Sequence, residues 1–263
     1  MKKILLAMTV VALLTGCRGE DEDALIFETV SADKTVKLSN EDNSPSCSVH
    51  LEIAAATGPN EHKAEIVNNA IQQRFLEVQD LPMQEAADSF ANTYTANYQK
   101  NFLPLFNHDR GDEKKFAWYD YHYIIKTETA SGHKGVTVYH VYLDYYEGGA
   151  HGINQHLVMN FEPVTGRTLS LDDIFAPGYE HLLNTILLKA LREKTGAKNL
   201  EALHEQGYLY SMDMFPSENF TLDEETITFI YNPYEIAPYD KGSIELTIAY
   251  SALESILKNS FEI

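Results

Sequence analysis

Two long runs of alternating residues in the middle of this chain restrict its fold more than any other feature. Residues 116–129 and 134–146 each read as a strand, and the short link Ser131-Gly132-His133 makes them an antiparallel pair. In the first run Tyr119, Tyr121, Tyr123 and Ile125 share one face by the two-residue period. The second run is apolar on both faces, as a central strand covered twice would be. Glu147-Gly148-Gly149-Ala150-His151 then turns the chain. Beyond it Ile153, Leu157, Met159 and Phe161 alternate with Asn154, His156 and Asn160 in a half-buried third strand. A three-stranded antiparallel meander is therefore expected. Gly148 and Gly149 suit a hairpin that needs positive φ, and no helical pattern follows them to make a phosphate loop.

Helical spacing flanks the meander. Ala64, Val67, Ala70, Ile71 and Phe75 mark one helix over residues 60–75. Asp80 is placed to cap a second, with Pro82 in its first turn and Ala86, Phe90, Tyr94 and Tyr98 as its buried stripe. A third is expected over residues 179–193, with Leu182, Leu183, Ile186 and Ala190 inward and Gly196 as its stop. Residues 200–220 give no clear pattern. Ile227, Phe229 and Tyr231 alternate, as do Ile244, Leu246, Ile248 and Tyr250, and Ser251 with Glu254 reads as a capping box for a short C-terminal helix. Strands and helices without a βαβ repeat indicate α+β: antiparallel sheets with helices packed on one side.

The N-terminus reads as a leader. Lys2 and Lys3 precede an apolar run over residues 4–14, too short to span a bilayer, and Leu14-Thr15-Gly16-Cys17 closes it. Small residues before a cysteine resemble the bacterial lipobox, in which Cys17 is lipidated and becomes the first mature residue. Removing residues 1–16 leaves 247 residues, enough for one large domain or two small ones. Residues 17–45, with the acidic Glu20-Asp21-Glu22-Asp23, read as a flexible tether. That acidic run either resembles the export signal of surface lipoproteins in Bacteroidetes-type bacteria or is a plain linker. The expected place is extracytoplasmic, on the periplasmic face of the outer membrane or at the cell surface. The formal charge is −19, and loss of Lys2 and Lys3 takes it to −21. Such a charge argues against nucleic acid and favours cationic partners through steering. Cys47 is the only other cysteine and reads as a buried, inert thiol.

A family resemblance rests on Tyr145 to His151, Asn160-Phe161, Thr165-Gly166, Leu169 and Leu171-Asp172-Asp173-Ile174-Phe175. It continues at Asn219-Phe220, the run from Thr228 to Pro238, Gly242, and the run from Ile248 to Leu253. These look like the bacterial envelope family catalogued as domain of unknown function 3298 (DUF3298). That family is usually preceded by a partner domain, number 4163, of the type found in the peptidoglycan deacetylase PdaC. The pair also forms the extracellular part of the anti-sigma factor RsiV, a lysozyme receptor. The resemblance implies a PdaC-type domain over residues 46–150 and an RsiV-type domain over 151–263, forming one compact unit. It implies an accessory or recognition module, because no cytoplasmic sigma-binding segment, transmembrane helix or deacetylase domain is expected here.

Candidate chemistry is sparse. His151 and His156 lie five apart, on opposite faces of a continuous strand, and make no metal pair. Asp172 and Asp173 read as turn caps. Ser131, Ser170 and Ser251 lack the frame of a serine nucleophile. No catalytic residue, metal site or cofactor is expected. The ligand-binding candidates are Tyr145, Glu147, His151, Tyr231, Tyr234, Glu235 and Tyr239, the last four on or beside a proline-held loop between strands. The resulting expectation is a non-catalytic, membrane-anchored lipoprotein that binds an extracytoplasmic partner, a lysozyme-like muramidase or cell-wall glycan. The alternative is a cell-wall glycan hydrolase or esterase, or an accessory module of one. Pooled titratable groups in one pocket would favour the enzyme, and an aromatic surface the binder.

Cys17→Ser should abolish lipid attachment, since stable anchoring needs two or more acyl chains on that residue. The variant should leave the membrane fraction with unchanged thermal stability. A variant that still sediments with membranes, or mass spectrometry placing an unmodified N-terminus elsewhere, would refute the anchor.

Overall fold

The computed structural model describes residues 25–109 and 112–261. The leader expected over residues 1–16, and Cys17, lie outside the described residues. A five-stranded sheet has the order β1 (Ile26–Lys37), β2 (Ser46–Thr57), β3 (Tyr121–Ser131), β4 (Thr137–Tyr146), β5 (Ile153–Phe161). The meander expected from the sequence forms β3 to β5, with His122 paired to Tyr146 and Tyr142 to His156. The fold is α+β as expected, with one pairing that departs from an antiparallel sheet: β2 runs parallel to β3, Cys47 opposite Tyr121. Parallel neighbours need a long crossover. Here it is made by α1 (Glu61–Phe75) and α2 (Met83–Asp109).

Both crossover helices cover one face of the sheet. The inward residues of β2, namely Val49, Leu51, Ile53 and Ala55, meet Ala64, Val67, Ile71 and Phe75 of α1 and Met83, Ala86, Ala87 and Ala91 of α2. The opposite face carries His50, Glu52, His122, Lys126, His140, Tyr142 and His156, none fully buried.

Several expectations need correction. Residues 26–37 are not tether but β1, whose alternation is weak because an edge strand buries little: only Ala32 of its twelve residues is fully buried. Its Glu28, Asp33, Lys34 and Lys37 are the charges that keep such an edge from pairing with strangers. The boundary placed at 150/151 cuts through a hydrogen-bonded meander, since β5 belongs to the first sheet. Residues 113–119 form a 3₁₀ turn rather than strand. Asp80 does not cap α2; it adopts φ of 58° and exchanges two hydrogen bonds with Asn69, each of 2.9 Å.

The second layer is a three-stranded sheet, β6 (Phe220–Leu222), β7 (Thr226–Tyr231) and β8 (Ile244–Ala249), all antiparallel. Three helices precede it: α3 (Leu171–Ile174), α4 (Glu180–Thr195) and α5 (Leu200–Glu205). α4 packs with Leu183, Leu187 and Leu191 fully inside, and Leu182 points outward instead. The run Leu182 to Leu191 is apolar on two adjacent stripes, so its spacing alone does not choose between them. Gly196 ends α4 with φ of 71°, as expected of a C-terminal glycine. The capping box sits at Ser170 and Asp173 and not at Ser251 and Glu254; Asp173 accepts from both the Ser170 N–H and its hydroxyl at 2.9 Å. The C-terminal segment forms 3₁₀ turns because its backbone joins residues 174–176: Ala176 donates to Ile256 and Lys258 to Ile174. Among the described residues no helix is long and apolar enough to cross a membrane.

Asparagine side chains hold the two sheets together. Asn219 Oδ1 accepts from the Val158 N–H at 2.7 Å, and its Nδ2 donates to the His156 carbonyl at 2.7 Å. Asn232 Oδ1 accepts from the His156 N–H at 2.8 Å. Asn160 Nδ2 donates to the Phe220 carbonyl at 2.7 Å. All three are buried.

Asn219→Ala leaves the Val158 N–H buried without its acceptor, which should cost about 1–3 kcal/mol of unfolding free energy. Asn101→Ala, on the exposed side of α2, should stay within about 0.5 kcal/mol. Urea denaturation of the two variants compares them directly.

Candidate functional site

A cleft of about 450 Å³ opens between α2 and β3. Phe90, Tyr94, Tyr98 and Phe102 recur every fourth residue, so one side of α2 is aromatic over three turns. Tyr121 and Tyr123 of β3 face them. Ring centroids lie 5.0 Å apart for Tyr94 and Tyr123, 5.1 Å for Phe90 and Tyr123, 5.2 Å for Tyr98 and Tyr121, and 4.9 Å for Phe102 and Tyr121. Such tilted pairs are worth about 0.5–1.5 kcal/mol each beyond burial. The stripe expected to be buried is therefore split: Ala86 and Tyr98 are buried, while Phe90 and Tyr94 are half-buried along the cleft.

Glu147 marks one end. Its Oε1 accepts from the Tyr94 hydroxyl at 2.6 Å. Around it the cleft continues into a hollow of about 550 Å³ lined by Phe102, Leu105, Trp118, Tyr119 and the hairpin residues Gly148 to Ala150. Gly148 and Gly149 adopt positive φ as expected, 83° and 104°. A Cβ on Gly148 would stand 2.9 Å from the Trp118 carbonyl oxygen, so this corner tolerates no side chain there.

The cleft groups are tuned toward the neutral form. Burial, with the nearby Glu147 charge second, pushes the Tyr121 and Tyr123 phenols up to about 12. Burial also raises Tyr94 and Tyr98, and the hydrogen bond to Glu147 adds to the rise at Tyr94. Cys47, beneath the cleft, is free and buried, and burial lifts its thiol to about 12. That is the inert thiol expected from the sequence.

The sequence-derived candidates separate into three groups. Glu147 belongs to the cleft, and Tyr145 supports it from behind by packing on Tyr123 at 5.9 Å. His151, Tyr234 and Tyr239 form a second, exposed cluster. There His151 stacks on Tyr239 at 3.9 Å and its Nε2 meets the Tyr234 hydroxyl at 2.9 Å, with Tyr234 held at φ of 75°. Tyr231 is not available to a ligand, and Glu235 is half-buried. Tyr231 is fully buried and its hydroxyl donates to the Phe215 carbonyl at 2.6 Å, while Glu235 Oε2 accepts from the Asn232 N–H at 2.9 Å. Tyr231 points inward as the last residue of β7, and the turn that follows uses the Glu235 carboxylate as the partner of the Asn232 N–H. Sequence reasoning missed Tyr94, Tyr98, Phe102, Trp118, Tyr121 and Tyr123 as a joint surface. The four-residue aromatic repeat signalled the helix face, but nothing local said that β3 would stand opposite.

On the face of the first sheet turned away from α1 and α2, His156 stacks with Tyr142 at 4.7 Å and its Nε2 lies 3.0 Å from His140 Nδ1. Burial lowers both imidazoles. No group of three or more metal-ligating side chains occurs among the described residues.

Comparison with known proteins turns on the second layer. The model of the DUF3298 family, described as a protein of unknown function, matches residues 172–251. The chain carries a DUF3298 domain. A crystal structure of a DUF3298 family member from Bacteroides fragilis superposes with a TM-score of 0.84 at 28% identity, covering 91% of this chain and 96% of that one. A DUF3298 family protein from Pseudomonas aeruginosa shares the fold, with a TM-score of 0.61 at 19% identity over 91% of this chain and 97% of that one. Among curated proteins, the peptidoglycan-N-acetylmuramic acid deacetylase PdaC of Bacillus subtilis is 30% identical over 128 residues, 48% of this chain. That stretch is 27% of the deacetylase, so the chain spans about a quarter of that relative. Asn219 and Asn232, which join this DUF3298 domain to β5, lie inside the matched residues.

The cleft phenols give a titration test. Phenolate absorbance of Tyr121 and Tyr123 should develop only near pH 12 in the folded protein, against the usual 10. The unfolded chain releases those protons first, so the contribution of these two phenols to stability should be level below pH 10 and fall between 10 and 12. Phenolate absorbance rising uniformly at pH 10 while the protein stays folded would contradict the burial described.

Proposed function

We propose that this protein is a non-catalytic binding module of the bacterial cell envelope, held on the outside of the cytoplasm by lipid at Cys17. The observation that carries this reading is the open aromatic cleft between α2 and β3. Its perturbed groups are phenols pushed upward by burial, so they stay neutral hydrogen-bond donors at and well above neutral pH. Glu147, the carboxylate at its junction, is engaged by Tyr94. An aromatic, polar-rimmed concave surface suits recognition. Kinship of about half the chain with a peptidoglycan deacetylase points to a cell-wall setting. Within that setting two partner classes have support: cell-wall glycan from the cleft, and a lysozyme-like muramidase from the charge of −19, which would speed encounter with a cationic protein.

The test is direct. The full chain in detergent micelles should co-sediment with purified peptidoglycan sacculi, or bind hen lysozyme in calorimetry at low salt. Binding to neither would end the reading. Release of acetate or of reducing ends from the sacculi by the protein would replace it with an enzymatic one.

A further inference from the structure

Two rows of side chains run side by side along α2. Phe90, Tyr94, Tyr98 and Phe102 form one, and Ser89, Thr93, Asn97 and Asn101 form the other, each at four-residue spacing. From Ser89 to Asn101 the helix advances about 18 Å at 1.5 Å per residue. All eight residues line the cleft. None of the four polar side chains enters a hydrogen bond among the described residues. Asn92 and Gln99, on the side of α2 that meets β1, are by contrast engaged, with Lys34 and with the Lys37 carbonyl respectively. The polar row at the cleft is thus an unused line of donors and acceptors beside a line of ring faces.

The rest of the cleft narrows what can occupy it. β3 is hydrogen-bonded to β2 on one side and β4 on the other, so its backbone offers no edge for an extended peptide. The lining residues include Glu77 and Glu147 and neither Lys nor Arg, which opposes an anionic ligand. A ligand that fits is linear, uncharged, apolar on its flat faces and rich in hydroxyl or amide groups at its edges. That is the chemistry of a pyranose chain, whose C–H faces stack on aromatic rings while its edges hydrogen-bond to amides and hydroxyls.

We infer that the α2–β3 cleft binds an uncharged oligosaccharide laid along α2, its sugar faces on the half-buried rings Phe90, Tyr94 and Phe102 and its hydroxyl or acetamido groups on the polar row, and that it rejects anionic sugars. This deepens the envelope-binding reading above and rests on it. The chain supplies its own reporter: Trp118 is its only tryptophan, is 58% exposed, and lines the continuation of the cleft with Phe102 and Glu147.

Tryptophan fluorescence of the full chain in detergent micelles should change saturably on titration with chitotetraose, the tetramer of N-acetylglucosamine. Tetragalacturonic acid, an anionic chain of the same length, should give no change. The double variant Asn97→Ala/Asn101→Ala should weaken chitotetraose binding about tenfold or more, the loss of two hydrogen bonds. Alanine is the better helix former, so its thermal midpoint should not fall, and lost affinity cannot be ascribed to misfolding. No response to chitotetraose, unchanged affinity in the double variant, or an equal response to the anionic tetramer overturns the assignment. A response to lysozyme alone gives the cleft to a polypeptide and overturns it too. If sacculi or lysozyme still bind in those cases, the envelope-binding reading stands and only the cleft assignment falls.

Discussion

The side-chain amides that cover the outer edge of β5 are what the remaining architecture depends on. An edge strand leaves a row of N–H and C=O groups without partners, and burying such a row costs about 1–3 kcal/mol for each orphan. A primary amide carries both an acceptor and two donors, so it can stand in for the backbone of a missing strand. Asn219 does this for Val158 and His156, and Asn232 for His156, while Asn160 reaches from β5 into the second sheet. The two sheets therefore join through polar groups that are satisfied, with apolar cores on either side of the join.

That join reaches the cleft through the β4–β5 hairpin. With β5 fixed, the hairpin places Glu147 at the Tyr94 hydroxyl and Gly148 against the Trp118 carbonyl. At the same turn His151 is gripped by Tyr234 and Tyr239 from the DUF3298 domain. One short turn thus touches the cleft with its first residues and the second layer with its last. Several of the residues that carry the family resemblance, Asn160, Asn219 and Asn232 among them, serve this join.

The cleft itself follows from a mismatch between helix and sheet. α2 spans 27 residues, more than it needs to cover β2, and its aromatic side runs beyond the aliphatic core onto Tyr121 and Tyr123. Where alanines line the helix, at Ala86, Ala87 and Ala91, it packs closely. Where tyrosine and phenylalanine take over, the larger rings meet those of β3 and leave a solvent-open trough. Close packing and an open cleft are thus produced by successive segments of one helix.

The sequence by itself determined the α+β class, the antiparallel meander over β3 to β5, the extents of α1 and α4 to within a few residues, the glycine hairpin and the buried thiol of Cys47. These rest on local periodicity and on residues such as Gly148, Gly149 and Gly196, whose backbone freedom is their own. Tertiary structure decided the rest. β1 was hidden in an apparent tether because an edge strand with one fully buried residue has little alternation to show. The parallel register of β2 and β3 depends on a crossover of two helices, which no local pattern encodes. Tyr231, a ligand candidate beside the proline-rich loop, ends β7 with its ring buried and its hydroxyl on the Phe215 carbonyl, while Glu235 stays half-buried with one oxygen on the Asn232 N–H. The cleft was legible only by half: the repeat at Phe90, Tyr94, Tyr98 and Phe102 is visible in the sequence, but Tyr121, Tyr123 and Glu147 come to face it from the other side of the crossover. Periodicity reports which residues share a face, and only the folded chain reports what that face meets.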